Sequence, residues 1–327
     1  MKDITLKQLR YFDALARYQH FGHAAEACSI SQPALSLQIK ELERMFGATL
    51  VERSAPKIRL TTRGEDFIAK GRQILLAVEE LDDLMRASKG PLAGRLRLGI
   101  IPTVAPYLLP EIMVALSAQF GQLELEVRES MTKSLIEDLS EGLLDLAVVA
   151  LPISEPNLRE VALFDEEFAI VRPERDADKP IPSPKLLRTM RLLLLEEGHC
   201  FRDQALSVCQ MSDAQPRQLM EGSSLSTLVQ MVGAGMGVTL IPEIAINLEA
   251  RSTDVSIVKF PKPAPTRTIG MVWRKTNPLS DQFLQIGEIV RSVGEKKRDV
   301  TRVASGVHPT AEDNSTGLPV MTGSIPK

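Results

Sequence analysis

Between Phe21 and Gly47 the chain reads FGHAAEACSISQPALSLQIKELERMFG, and a segment of this kind admits few folds. Its Ala-rich start forms a short helix that ends near Cys28. Ser31 then offers its hydroxyl as an N-cap, Pro33 stands inside the first turn, and Gly47 closes the second helix. A short helix, a four-residue break and a capped polar helix make the pattern of a helix-turn-helix. Before it, TLKQLRYFDALARY places Leu6, Leu9, Phe12 and Leu15 with Ala16 at helical spacing behind Thr5 as N-cap. After it, LVERSAPKIRLTT reads as two short strands around Ala55-Pro56, a wing studded with Arg53, Lys57, Arg59 and Arg63.

The second helix of such a motif lies in the major groove. Gln32 and Pro33 open it, Ser36 and Gln38 can meet base edges, and Lys40 with the wing cations Arg53, Lys57 and Arg59 suits phosphates. The helix pattern alone also fits an amphipathic helix of an all-α subdomain; the basic wing favours DNA. Charge agrees. The 327 residues carry a formal net charge of −3, yet residues 1–72 hold twelve Lys and Arg against eight Asp and Glu, and the other 255 residues carry −7. A basic module on an acidic body suits a partner with phosphates at one end only.

From Gly64 to Ser88 one long helix is expected. Phe67, Gly71, Ile74, Val78, Leu81 and Met85 follow at spacings of four and three, a heptad seam that suits a dimer, with packing on the helix's own domain as the alternative. SKGPLAG at 88–94 reads as a linker. Strand and helix then alternate from RLRLGII, PYLLPEIMVALSAQF and QLELEVRES through EEFAIVRPE and RLLLLEE to RTIGMVWRK and a closing helix, SDQFLQIGEIVRSV. This predicts an α/β fold of mostly parallel sheets in two lobes, with ligands beyond the carboxyl ends of strands. Gly235 and Gly237 in GAGMGVT fit a helix C-cap better than a phosphate cradle.

No run approaches the ~20 apolar residues of a membrane span, and the opening MKDITLKQLR lacks the apolar core of a secretion signal. A cytoplasmic location is expected, where structural disulfides are rare. Three cysteines and four histidines make no zinc pattern, so neither a metal nor a cofactor is expected.

LRYFDALARYQHFGHAAEACSISQPALSLQIKELERMFGATLVERS, followed by LTTRGEDFIAKG, closely resembles the amino-terminal domain of LysR-type transcriptional regulators. The FGHAAEAC helix, the SQPALS turn, the LVERS opening of the wing and LTTRGE carry the match. The α/β remainder is similar to that family's effector domain, which resembles periplasmic binding proteins; the resemblance covers roughly residues 1–296. Leu37 departs from it, standing where many members carry a basic residue. Cys28 on the short helix reads as small core filler.

GHCFRDQALSVC, Gly198 to Cys209, holds two of the three cysteines. His199 and Arg202 stand within a turn of Cys200 and can place positive charge beside its sulfur, and a helix starting after Gly198 adds its dipole. Cys209 has apolar neighbours and reads as a quieter, buried thiol. Spacing leaves two readings open: an attacking and a resolving cysteine, or two unrelated semi-buried thiols. On a continuous helix nine residues span ~13.5 Å and leave the side chains about half a turn out of phase. A disulfide needs Cα atoms within about 7 Å. An intact helix and a bridge are therefore mutually exclusive here.

With LGIIPTVAPYLLP before it and TRTIGMVWR after it, this segment resembles the peroxide-sensing OxyR branch of the LysR family. The resemblance implies Cys200 as the peroxide-reactive thiol and Cys209 as the resolving one that pairs with it. It also implies His199, Arg202, Thr103, Thr132 and Arg267 around the thiol and the peroxide. From the residues alone, Thr103 and Thr132 are equally good helix N-caps and Arg267 is equally a surface-strand arginine.

Together these readings describe an α plus α/β chain. A winged helix-turn-helix occupies 1–63, a linker and dimerisation helix 64–93, a redox-sensing effector domain of two α/β lobes 94–296, and a disordered tail 297–327. The expected function is peroxide-responsive transcriptional regulation, with promoter DNA, a second copy of the chain (dimer or tetramer), RNA polymerase and a thioredoxin or glutaredoxin as partners. A LysR-type regulator that senses a metabolite without redox chemistry is the alternative; a thiol peroxidase is disfavoured by the DNA-reading module.

Overall fold

Each helix of the amino-terminal module begins where its sequence provides a cap. In the computed structural model, which describes residues 3–52, 58–87, 92–209, 220–251 and 254–304, Thr5 caps α1 (Leu6–Tyr18) in a reciprocal box with Gln8. His20 Nδ1 caps α2 (Phe21–Ala27) by accepting from the backbone of Gly22 and His23. Ser31 accepts from Ala34 N at the start of α3 (Gln32–Phe46), and Gly47 ends that helix at φ 64°, a left-handed conformation that favours glycine. The wing is an antiparallel pair, β1 (Val51–Glu52) and β2 (Arg59–Leu60). Arg53 and Lys57 lie outside the described residues. Glu43 of α3 ties the wing down by accepting from Leu50 N and Val51 N, at 2.9 and 3.2 Å.

The long helix α4 (Thr62–Ala87) begins two residues before the expected Gly64. Gly64 packs so closely on the carbonyl of Leu50 that a Cβ would stand 2.1 Å from that oxygen. The inner face of α4 belongs to the module. Ile68 is buried with Phe12, Leu15, Leu35, Ile39 and Leu42, and Phe67 meets the rings of Phe12 and Phe46 edge to face at 5.4 and 5.1 Å. Phe67, expected on the dimer seam, is half-buried and packs against the core of its own domain, where rings of α1 and α3 cover that turn of the helix. Farther along, Ile74, Leu81 and Met85 are exposed and Val78 is half-buried. Arg72 of α4 forks between Asp13 of α1 and Glu141.

The α/β portion comprises β3 (Gly94–Ile100), α5 (Ala105–Gln119), β4 (Leu123–Glu129), α6 (Thr132–Ser140), β5 (Leu146–Leu151), β6 (Leu158–Pro173), α7 (Pro184–Leu187), β7 (Leu193–Leu195) and α8 (Cys200–Val208). It continues with β8 (Met220–Gly222), α9 (Leu225–Gly233), β9 (Thr239–Pro242), α10 (Ile246–Glu249), β10 (Val255–Lys259), β11 (Thr266–Arg274) and α11 (Ser280–Ala304). The chain forms two units. The first holds the described residues up to Leu163 with Glu197–Cys200 and Thr268–Ile289; the second holds Phe164–Glu196, the described residues of Phe201–Arg267 and those from Val290 on. In the first, β11, β5, β3 and β4 lie side by side, β3 parallel to both β4 and β5 and β11 antiparallel to β5. In the second, β6 lies antiparallel to β9 and β10, and β7 runs parallel to β8.

Three expectations change. The sheets are mixed rather than mostly parallel, since β6 and β11 run against their neighbours. Strand β6 starts at Leu158, eight residues before the segment read as strand. The closing helix continues to Ala304, through residues assigned to a disordered tail from 297, and Arg298 of this extension reaches the buried carboxylate of Glu243 at 3.4 Å. Among the described residues no helix is long and apolar enough to cross a membrane.

Removing the Phe67 ring tests the module's core. Phe67→Ala is expected to destabilise the amino-terminal module by about 3 kcal/mol, read by thermal or urea unfolding. A variant that dissociates but unfolds like wild type would return Phe67 to the seam.

Candidate functional site

Strands β3 and β4 are parallel neighbours, so their carboxyl ends share one edge of the sheet. Thr103 follows the first and Thr132 the second. Neither is an N-cap. Val104 precedes α5 and Met131 precedes α6, each without a side-chain capping bond, and Thr132 is already the first helical residue. Thr103 is buried. The Thr132 hydroxyl is buried with no hydrogen-bond partner among the described residues, a polar atom available to a small ligand.

The Gly198–Cys200 turn lies against this edge. Gly198 sits at φ 95° and packs so tightly on Met131 that a Cβ would stand 2.7 Å from its sulfur. Both the dihedral and the contact require glycine. His199 follows, buried, and Cys200 is the first residue of α8, partly exposed at the positive end of the helix dipole. Thr132 and the Cys200 turn are thus brought to one place through the Met131–Gly198 contact.

In the second unit, two arginines expected near the sulfur have other partners. Arg202 donates to the carbonyl of Leu195 at 2.9 Å and to Glu221 at 2.8 Å, fastening α8 to the edges of β7 and β8. Arg267 is fully buried in a two-pronged pair with Glu166, Nε and Nη2 lying 2.8 and 2.7 Å from the same oxygen. Glu166 also accepts from Ile244 N. Burial pushes the Glu166 carboxyl up from its ordinary value, against the pull of Arg267. The Arg267 guanidinium lies 5.1 Å over the Phe201 ring, which stacks on Phe168 at 5.3 Å. Phe201 follows Cys200 directly in the chain. Glu166, Phe168 and Phe201 had no signal in the sequence, because a carboxylate in an apolar strand discloses its partner only after folding.

Helix α8 is intact. Cys209 N still donates to Ala205 O at 3.1 Å, extending the helical pattern to the second cysteine. All three cysteines are free. Cys209 is fully buried, and desolvation pushes its thiol up to about 11, opposed in part by Arg188. Cys28 is half-buried against the module core, with its thiol raised by burial and by Asp13.

On the recognition helix, Gln32, Pro33 and Lys40 are exposed, Ser36 and Gln38 are half-buried, and Arg59 of the wing is exposed. Leu37 is exposed on the same helix.

The buried thiol predicts a pH dependence. A folded value of about 11 against an ordinary 9.0 means the folded state holds the proton longer, so stability present below pH 9 is lost as pH rises toward 11. The loss should reach about 2 to 3 kcal/mol at roughly 1.4 kcal/mol per unit. Urea unfolding across this range should show a drop that Cys209→Ala abolishes; an equal drop in both proteins would contradict the assignment.

Comparison with known proteins extends these observations. Residues 6–65 match the model of the bacterial regulatory helix-turn-helix protein, lysR family, and residues 89–294 match the LysR substrate binding domain. A Streptomyces viridosporus protein named "Probable hydrogen peroxide-inducible genes activator" is 40% identical over 301 residues, covering 90% of this chain and 95% of that protein. The HTH-type transcriptional regulator EstR of Acinetobacter baylyi is 38% identical over 292 residues, covering 88% and 97%. The solved structure of full-length OxyR from Pseudomonas aeruginosa, with one cysteine replaced by aspartate, is 36% identical and superposes with a TM-score of 0.74 over 90% of this chain and 97% of that one. The chain belongs to the LysR family of transcriptional regulators, among relatives that include OxyR.

Proposed function

We propose that this regulator responds to hydrogen peroxide through Cys200 and Cys209. The observation that carries the reading is the placement of two free thiols at opposite ends of one intact helix, α8. Nine residues of helix keep the sulfurs ~13.5 Å apart along the axis, about twice the reach of a disulfide. A bridge therefore unwinds α8, and the chemistry becomes a change of shape. Cys200, at the helix amino terminus, is the reactive thiol; Cys209, raised to about 11, is quiescent until it leaves its site. His199, Thr103 and Thr132 face the peroxide, Thr132 through its unpartnered hydroxyl. Arg267 holds α8 through its pairing with the buried Glu166, and Arg202 through the Leu195 carbonyl and the exposed Glu221. The name of the Streptomyces relative supports the signal.

The regulator works in the cytoplasm as a dimer or tetramer joined along the stripe of α4 formed by the exposed Ile74, Leu81 and Met85 and the half-buried Val78. It reads promoter DNA with Gln32, Pro33, Ser36, Gln38, Lys40 and the wing cations Arg53, Lys57 and Arg59. RNA polymerase and a thioredoxin or glutaredoxin complete the cycle. No cofactor takes part.

One stoichiometric dose of peroxide should yield a cross-linked peptide containing Cys200 and Cys209, lighter by two hydrogens than the separate thiols. DNA footprints of wild type should change with peroxide and those of Cys200→Ser should not. The EstR relative, whose name carries no peroxide, favours a second reading in which a small metabolite takes the Thr132 hydroxyl. In that case Cys200→Ser keeps full induction by the metabolite and peroxide leaves both footprints unchanged.

Leu37 offers a separate check on the DNA interface. With an apolar side chain at this exposed position, Leu37→Lys is expected to add about one phosphate contact. The slope of log affinity against log salt should steepen by about 0.9. An unchanged slope would place Leu37 away from the backbone.

A further inference from the structure

The carboxyl end of α8 is held by a side chain from outside the helix. No basic residue stands in its own last turn, yet the carbonyl of Cys209 accepts from Arg188 Nε at 2.9 Å. Arg188 is the C-cap of α7. Ser183 caps the start of that short helix by accepting from Leu186 N, and Leu187 is fully buried beneath it. A short, anchored helix thus delivers a guanidinium to the carbonyl at the end of α8, a cation at the end where carbonyls lack partners.

We infer that Arg188 is a positioning residue that holds Cys209 in its buried place and thereby sets how much peroxide the switch requires. This rests on the assignment of Cys200 and Cys209 proposed above. In the first step the Cys200 thiolate attacks one peroxide oxygen. The O–O bond breaks, Cys200 becomes a sulfenic acid, and the departing hydroxide takes up a proton to form water. In the second step the sulfur of Cys209 attacks the sulfenic sulfur. The S–O bond breaks, the disulfide forms, and the departing hydroxide leaves as water with the Cys209 proton. Two thiols and one hydrogen peroxide thus give one disulfide and two waters, with two electrons passing from sulfur to oxygen.

Only the second step moves Cys209. It must break the Cys209 N to Ala205 O bond and the Arg188 to Cys209 bond, both made only while α8 is wound. The charge of Arg188 also draws the buried thiol down in place, but that acts on a sulfur out of reach of Cys200. Loss of the Arg188 side chain therefore favours resolution and leaves peroxide attack alone.

The test uses full-length protein and three side chains at this position: Arg188→Met, which keeps the aliphatic stem, Arg188→Lys, which keeps the charge, and wild type. The first step is read by trapping the sulfenic acid in a Cys209→Ser background. The second is read by acid quench and thiol alkylation after rapid mixing with hydrogen peroxide. Arg188→Met should resolve about three- to tenfold faster than wild type, the range for loss of one hydrogen bond near the surface. Its sulfenic acid should form at the wild-type rate, and Arg188→Lys should fall between the two. Equal resolution rates in Arg188→Met and wild type would overturn the proposal. So would a rise of both steps together, which marks general loosening of the fold. A wild type that forms sulfenic acid but never the disulfide removes the cysteine-pair reading itself, and the Arg188 proposal with it.

Discussion

The backbone hydrogen bonds of α8 are the constraint on which the sensing region turns. They run from Cys200 to Cys209, where the Ala205 carbonyl still receives an amide, and they keep two thiols in different surroundings. One stands at a helix amino terminus beside a glycine turn; the other is buried behind the last turn. The first is partly exposed at the end where the helix amides point outward, and desolvation pushes the second thiol up to about 11. A helix thus separates the sulfurs in space and gives them different burial.

The surroundings of α8 are built from charges that the interior has already neutralised. Arg267 and Glu166 are both buried, and their pair is sound because each finds more than one partner: Glu166 a backbone amide, Arg267 the face of Phe201. Removing either partner would leave an uncompensated buried charge, an error that generally costs about 3 to 5 kcal/mol. Arg202 is buried too, but divides its bonds between the Leu195 carbonyl and the exposed Glu221. Both arginines meet residues of the first turns of α8, Arg267 over the Phe201 ring and Arg202 from within the helix itself. The unpartnered Thr132 hydroxyl is the contrasting case, a polar atom left free beside the turn that holds Cys200.

The amino-terminal module obeys more local rules. Its caps are formed by residues two or three positions from the amides they satisfy. Its apolar stripes meet in one core that takes in the first turns of α4, after which the helix emerges with an exposed stripe. The amino-terminal part of α4 completes the module, while farther along Glu79 and Glu80 pair with Arg97 and Thr276 and Ile74, Leu81 and Met85 stay exposed.

Local chemistry was legible in the chain by itself. Thr5, Ser31 and Gly47 announced helix ends, the alternation after Gly94 announced an α/β fold, and the nine-residue separation of Cys200 and Cys209 already set helix against disulfide. Each depends on residues close in sequence, where spacing converts directly into geometry. Strand β10 was not legible, because all five of its residues are half-buried and no period of two results. Nor was the place of Phe67, since a heptad pattern states that a face is apolar without stating what covers it. The partners of Arg202, Arg267 and Arg188 were decided only by the tertiary structure. A long charged side chain can satisfy itself in many directions, and the direction taken depends on which carboxylates and carbonyls distant strands bring within reach.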